Sequence, residues 1–334
     1  MIRVGIVGYG YWGPNLVRNF LANATSTVVV VCDRFPDRLA KVKALYPTIH
    51  TTTNYADLLA DKSIDAVAVA TPVHSHFDLA MAALQAGKHV FVEKPITSTA
   101  AQASRLVDEA NRRKLTLMVD HTFVYTGAVR KMHDVVRQKD FGELRYYDST
   151  RVNLGLFQSD VNVLWDLAVH DLSIMSYVLG AAPRAVSATG HTHLPGQPEY
   201  AAYLTVFFDS IIAHINVNWL SPVKIRRTLV GGTGKMIVYD DLETSEKIKL
   251  YDKGISVTNN PEDIRKLLVS YRSGDMWSPK IDDSEALAVE VRHFVDCIEG
   301  SLTPLSDGPQ GLELVKILEA ADRSMRGRGT PIDL

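Results

Sequence analysis

The sequence predicts an α/β protein in two parts: an N-terminal doubly wound parallel sheet, and a C-terminal α+β domain built on a large, open, mainly antiparallel sheet. Three observations predict it. A short apolar strand, a glycine-rich turn and the start of a helix follow one another at the beginning of the chain. Short apolar strands then alternate with helical patterns to about residue 120, which is the rhythm of a parallel sheet covered on both faces. After about residue 143 the strands lengthen, with little helix between them.

The first strand is 3–7, and Gly8-Tyr9-Gly10-Tyr11-Trp12-Gly13 follows it with G-x-G-x-x-G spacing. Gly8 permits a tight turn, Gly10 lets backbone approach a pyrophosphate, and Gly13 lets helix and strand pack closely. The helix opening at Pro14 offers unpaired N–H groups and a positive dipole end to phosphates. A second strand, 27–32, ends at Asp33, where a carboxylate can accept from the adenine-side ribose hydroxyls. Together these predict a dinucleotide site, with Tyr11 and Trp12 in its turn. The charge of Asp33 would repel a 2′-phosphate, so NAD is expected rather than NADP. Arg34 reads either as a solvated loop charge or as a partner for that phosphate.

Strands at 64–70, 88–92 and 115–119 alternate with helices at 77–87 and 99–114. Ligands of such sheets bind beyond the carboxyl ends of the strands. Those ends carry Gly8, Asp33, Thr71-Pro72, Glu93-Lys94-Pro95 and Asp120-His121. Further strands are expected at 144–153, 185–193, 201–208, 211–219, 226–230, 235–239 and 246–251. In 211–219 the odd positions are apolar and His214, Asn216 and Asn218 point the other way. A helix over 156–180 should cover one face of this sheet, leaving the other for a subunit partner. Helices at 284–299 and 309–325 should return to the first domain or the junction. The expected division is 1–121 for the dinucleotide and 122–334 for substrate and self-association.

Composition narrows the function. The chain has 334 residues, 46% of them hydrophobic, and a formal net charge of −2, so a substantial core can form and neither a nucleic-acid-binding face nor an electrostatic membrane anchor is expected. Cys32 and Cys297 lie in apolar segments far apart in sequence, which fits reduced thiols in a cytoplasmic protein. No apolar run approaches membrane-spanning length, and no charged leader is expected.

Three groups of residues could carry chemistry. Glu93-Lys94-Pro95 follows a strand whose end faces the dinucleotide, with Pro95 suited to a cis peptide; an ordinary solvated Glu-Lys pair reads the same way. Asp166 and His170 stand four apart, one turn from each other on a helix face, which suits either a base with a second polar group or a histidine satisfied by its neighbours. Asp171 points elsewhere and reads as structural. Arg151, Lys224, Arg226 and Arg227 could meet a diphosphate or simply solvate a sheet edge. His74 with His76, and His191 with His193, lack further ligands at metal spacing, so no metal is expected.

The glycine-rich turn, Thr71-Pro72 followed by His76, Glu93-Lys94-Pro95 and the Asp166-x-x-x-His170 pair together resemble the Gfo/Idh/MocA oxidoreductases over essentially the whole chain. The resemblance implies a Rossmann domain followed by an α+β domain, a nicotinamide cofactor, and Lys94, Asp166 and His170 as the catalytic set. Thr71, Pro72, His76, Glu93 and Pro95 are expected at the cofactor, and Asn153, Trp165, Arg226 and Arg227 at the substrate. Gly10-Tyr11-Trp12-Gly13-Pro14-Asn15, Asn153-Leu154-Gly155-Leu156-Phe157 and Tyr271-Arg272-Ser273-Gly274-Asp275 are similar to a bacterial subgroup linked to cell-surface sugar synthesis, the UDP-N-acetylglucosamine 3-dehydrogenases. The activity this resemblance implies is NAD-dependent oxidation of a ring hydroxyl, C3, of a nucleotide-activated amino sugar to the keto sugar; the uncovered face of the second sheet predicts a homodimer or homotetramer. A keto-sugar reductase, an inositol or free-sugar dehydrogenase, an NAD-dependent glycosidase and a non-catalytic NAD-sensing regulator are the alternatives.

Overall fold

The computed structural model describes residues 1–155, 161–193, 196–252, 255–256, 270–271, 274–300 and 302–334. They divide into two compact units: Met1–Tyr125 with Ser284–Glu319, and Thr126–Asp283 with Ala320–Leu334.

The first unit holds six parallel strands, β1 (Ile2–Val7), β2 (Ser26–Cys32), β3 (His50–Thr52), β4 (Ala66–Val69), β5 (His89–Glu93) and β6 (Leu117–Asp120), in the order β3-β2-β1-β4-β5-β6. The chain winds outward from β1 in both directions, so the order reverses between β1 and β4, where such sheets open a crevice at their carboxyl ends. β4 is fully buried along its length, as a strand covered on both faces must be. Helices Gly13–Ala22, His76–Gln85 and Ala100–Arg113 lie where the periodicity places them. Thr99 caps the last of these, its hydroxyl accepting from the Gln102 N–H at 3.2 Å. Helices Pro36–Leu45 and Tyr55–Ala60 and the short β3 were not expected from the pattern. Pro36–Leu45 buries only Leu39 and Val42, too few for an apolar stripe to show.

Helix Ala286–Ile298 and the part of Gly308–Arg326 up to Glu319 complete this unit. Phe294 stands edge-on to Phe20 and Phe91, with ring centroids 6.2 and 5.3 Å away, which binds a helix from the end of the chain into the core of its beginning. Cys32 and Cys297 are buried free thiols, each pushed up to about 11 by burial.

The second unit carries β7 (Leu144–Leu154), β8 (Ala185–His191), β9 (Ala201–Phe207), β10 (Ile212–Asn218), β11 (Leu220–Gly232), β12 (Met236–Asp240), β13 (Ile248–Tyr251), β14 (Ile255–Ser256), β15 (Ser270–Tyr271), β16 (Met276–Trp277) and β17 (Ile332–Asp333). Nine of them form one sheet in the order β16-β13-β12-β11-β7-β10-β9-β8-β17, antiparallel throughout except where β10 runs parallel to β7; β14 and β15 pair separately. Ala213, Ile215, Val217 and Trp219 are buried on one face, as the alternation requires. The helix expected over 156–180 is Val169–Leu179, entered through a π turn at Leu164–Ala168; residues 156–160 lie outside the described residues. The Tyr147 hydroxyl on β7 donates to the Asp171 carbonyl at 3.2 Å, fastening that helix to the sheet. On the opposite face His214 pairs with Asp148 at 3.3 Å, each near half exposed, beside a half-exposed Tyr203.

Candidate active site

The glycine-rich turn is shaped by its neighbours. Gly8 has φ +95°, and a Cβ there would strike the Ala70 carbonyl; a Cβ on Gly13 would strike the Gly8 carbonyl. At Gly10 a Cβ would meet only Arg38 Nη1, at 3.7 Å, so this backbone is open to a ligand's approach. Tyr11 is 94% exposed, whereas the Trp12 indole N–H donates to Asp120 Oδ2 at 2.6 Å and ties the turn to the end of β6.

Asp33 closes β2 with its carboxylate buried. Oδ2 accepts from the Tyr9 N–H at 2.7 Å and Oδ1 from the Phe35 N–H at 2.9 Å, which orients the group while leaving lone pairs for ribose hydroxyls. Arg38 reaches Oδ2 at 3.3 Å, and both Arg34 and Arg38 lie over the Phe35 ring. Arg38 was not singled out from the sequence, because the helix that presents it was not expected. The open backbone at Gly10, the turn at Gly8 and the buried acid at Asp33 fit an adenine dinucleotide.

Thr71 and Pro72 follow β4, and the Thr71 hydroxyl accepts from Ser75 at 2.7 Å. His76 is 1% exposed, with Nε2 2.7 Å from the Thr71 carbonyl and Nδ1 2.8 Å from the Pro95 carbonyl. The ring therefore bridges the ends of β4 and β5 through backbone atoms. Burial lowers its proton affinity, with His74 and Lys94 adding to the effect, although the two carbonyls oppose it. The Lys94–Pro95 peptide is cis.

Behind Lys94, Glu93 and Asp120, both expected at strand ends, form a group of carboxyls with Glu290, which was not expected. Glu93 and Asp120 are register partners on β5 and β6, and Glu290, fully buried, joins them from helix Ala286–Ile298. Asp120 accepts from Trp12 and, at 2.5 Å, from the Thr122 hydroxyl. Burial, then the Asp120 carboxyl, pushes both Glu93 and Glu290 well above the usual carboxylate range. His121 follows on β6, 1% exposed, with neither ring nitrogen hydrogen-bonded; burial, and then the Lys94 charge, push it down to about 3. The Asp120-His121 strand end was visible in the sequence, but nothing local pointed to Glu290.

In the second unit Asp166 lies within the π turn and His170 one residue into the α-helix. Val169 N–H reaches back to the Leu164 carbonyl, the i→i+5 bond of a π turn, a distortion that recurs at functional sites. Asp166 Oδ2 accepts from the Trp219 indole at 3.0 Å. Trp165 is turned away from them and donates to Asp322 Oδ2 at 2.9 Å, while Asn162 holds Oδ1 at 2.8 Å. Burial raises Asp322 above the usual carboxylate range. Asn153, at the end of β7, lies beside Gly155, where a Cβ would come within 3.1 Å of its amide nitrogen and 2.8 Å of the Trp219 ring. Asn153, Asp166 and Trp219 are thus gathered near one another. Trp219 and Asp322 left no signal in the sequence because their partners lie 53 and 157 residues away.

The basic residues do not gather in the same way. Arg151 is buried in an ion pair with Asp171 at 2.6 Å, so it is a structural cation. Arg226 pairs with Asp241 at 3.2 Å on that same face, whereas Arg227, the next residue along the strand, is exposed on the other. Among the described residues no group of three or more His, Cys, Asp or Glu could hold a metal ion, and no helix is long and apolar enough to cross a membrane.

Comparisons with known proteins agree along the chain. A model of the oxidoreductase family with an NAD-binding Rossmann fold matches residues 2–121, and one of the GFO/IDH/MocA C-terminal domain matches residues 129–238. UDP-N-acetylglucosamine 3-dehydrogenase of Acidithiobacillus ferrooxidans is 26% identical over 319 residues, 93% of each chain, and its crystal structure superposes with TM-score 0.81 over 97% of this chain and 99% of that one. The uncharacterized oxidoreductase YdgJ of Escherichia coli is 34% identical over 74% of each chain. Inositol 2-dehydrogenase of Rhizobium meliloti is 26% identical over 97% of each.

Proposed function

The chain belongs to the Gfo/Idh/MocA family of oxidoreductases, and from that premise we propose that it is an NAD-dependent dehydrogenase oxidising a ring hydroxyl, C3 of a nucleotide-activated amino sugar such as UDP-N-acetylglucosamine, to the ketone. The observation that carries the reading is Asp166 and His170 at a π turn, with the Trp219 indole fixing the Asp166 carboxylate at 3.0 Å. Such a carboxylate orients a sugar hydroxyl by hydrogen bonding. His170 or Lys94 removes the hydroxyl proton. NAD, when bound, accepts the hydride at nicotinamide C4. Likeness to UDP-N-acetylglucosamine 3-dehydrogenase along nearly all of both chains supports the nucleotide sugar as substrate.

The test is to mix the purified protein with UDP-N-acetylglucosamine, related nucleotide sugars, free sugars and inositol, each with NAD or NADP, and to follow absorbance of the reduced cofactor. Reduction with the UDP-amino sugar supports the proposal. Reduction with inositol or free sugars alone replaces the substrate, and turnover only from the keto sugar with NADH reverses the direction. Glycoside cleavage without net NADH gives the glycosidase, and cofactor binding with no turnover at all gives a regulator.

NAD is expected to bind at least several-fold more tightly than NADP, because the buried Asp33 carboxylate accepts from ribose hydroxyls and repels a 2′-phosphate. Titration checks this: Asp33→Ser should narrow the gap, and equal affinities in the wild type would instead assign Arg34 and Arg38 to that phosphate.

We also propose that the protein is a cytoplasmic homodimer or homotetramer joined through the uncovered face of the nine-stranded sheet. That face presents Tyr203 and Ile212, both 50% exposed, around the His214–Asp148 pair. Light scattering at micromolar concentration should give at least twice the mass of the chain, and a monomer would refute it.

A further inference from the structure

Glu290 contributes nothing to the reaction as outlined, yet it is a fully buried acid inside the sheet unit that carries Lys94. The nearby Thr122 hydroxyl is directed to Asp120 rather than to either oxygen of Glu290, and the Glu290 carboxyl lies against that of Asp120. Two buried carboxyls in contact are satisfied when one keeps its proton and donates it to the other. Asp120 is the acceptor of the group: Trp12 Nε1 at 2.6 Å and Thr122 Oγ1 at 2.5 Å already donate to it. Its neighbour across the strands is Glu93, whose Oε2 accepts from the Lys94 backbone N–H at 3.2 Å. Asp120 is therefore the point at which the glycine-rich turn, β5 and helix Ala286–Ile298 meet.

We propose that Glu290 is a positioning residue for Lys94: an un-ionised acid that donates to Asp120 and so holds Glu93, which precedes Lys94, and Trp12 of the cofactor turn to one anchor. The proposal rests on Lys94 taking part in the reaction. The groups facing Glu290 are Asp120, Glu93, Thr122 and the Tyr125 ring. With burial as the main cause, they raise its carboxyl well above the ordinary range.

Stability then depends on pH with a definite sign. The unfolded chain releases this proton near pH 4.3 while the folded chain retains it, so the folded state binds more protons and loses stability as pH rises. Glu290→Gln keeps an N–H donor but has no proton to release. Its melting temperature relative to wild type should therefore climb steadily between about pH 5 and about pH 8. A difference that stays flat with pH means Glu290 is ionised in the fold and overturns the proposal.

The positioning is read separately. Glu290→Leu should lower kcat by on the order of 10-fold to 10²-fold with a much smaller change in KM, and Glu290→Gln should restore most of it. Competitive acetylation followed by mass spectrometry needs no substrate, so it stands even if the assigned reaction fails. Labelling of Lys94 relative to the exposed Lys41 and Lys62 should change in Glu290→Leu and return in Glu290→Gln. If the leucine variant does not fold, Glu290→Asp, which draws the acid back by one methylene, should show the same change. Lys94 labelling identical to wild type in a folded leucine or aspartate variant overturns the proposal.

Discussion

Replacing Lys94 or His170 by alanine is expected to lower turnover on a true substrate by on the order of 10²–10⁴, the usual worth of one acid or base, while leaving the unfolding midpoint little changed. Lys94 follows the end of a strand and His170 is only partly buried on its helix, so truncating either removes a polar tip without opening a large core cavity. NAD affinity should shift only modestly in His170→Ala, because the turn and the acid that fit the dinucleotide belong to the other unit. Steady-state kinetics and thermal melts on both variants check this. Near-normal turnover in both would remove the assigned mechanism, and a large loss of stability would make these residues structural.

The second large effect is on stability. Arg151 and Asp171 are 3% and 2% exposed, and their side chains meet at 2.6 Å. Arg151→Met should cost about 3–5 kcal/mol, because it leaves a buried carboxylate without its cation. Arg151→Met with Asp171→Leu should recover most of that loss, since a buried ion pair and an apolar pair of similar volume are close in free energy. Denaturant unfolding followed by tryptophan fluorescence, with Trp165 and Trp219 in this unit, gives both numbers. A single variant as stable as wild type would mean that water or another cation takes the place of Arg151. The pair joins β7 to the helix next to His170, so weakening it should also reduce turnover.

Legibility varies element by element. The strand, turn and acid of residues 2–33 could be read because each signal is local: apolar residues in a row, glycines at fixed spacing, and an acid at the next strand's end. The alternation in 211–219 was legible for the same reason. Helix Pro36–Leu45 was not, because a helix lying mostly in solvent has little apolar periodicity. The helix expected over 156–180 reads in the sequence as one continuous element, and the π turn at Leu164–Ala168 escapes notice because the helix that follows is buried on most sides, so a one-residue shift of phase leaves no mark in the apolar pattern. Lys94, Asp166 and His170 were singled out as candidates by motif and spacing, whereas Glu290, Trp219 and Asp322 were not, since a lone acid or indole on an apolar segment carries no mark of its partner.

By itself the sequence determined the family, the parallel sheet with its glycine-rich turn, and the change to long alternating strands, all of which arise from short-range periodicity and steric demands on the backbone. Tertiary structure decided which charges are available for chemistry. Arg151, which reads in the sequence either as a cation for a diphosphate or as a solvated edge charge, is buried in a pair with Asp171, and Arg226 and Arg227 were separated by the pleat that turns successive side chains to opposite faces. Glu290 became part of the setting of Lys94 only when its helix packed on the N-terminal sheet, 170 residues from Asp120 in sequence. A charge's role depends on what surrounds it after burial, and surroundings drawn from distant segments leave no local signal in the chain.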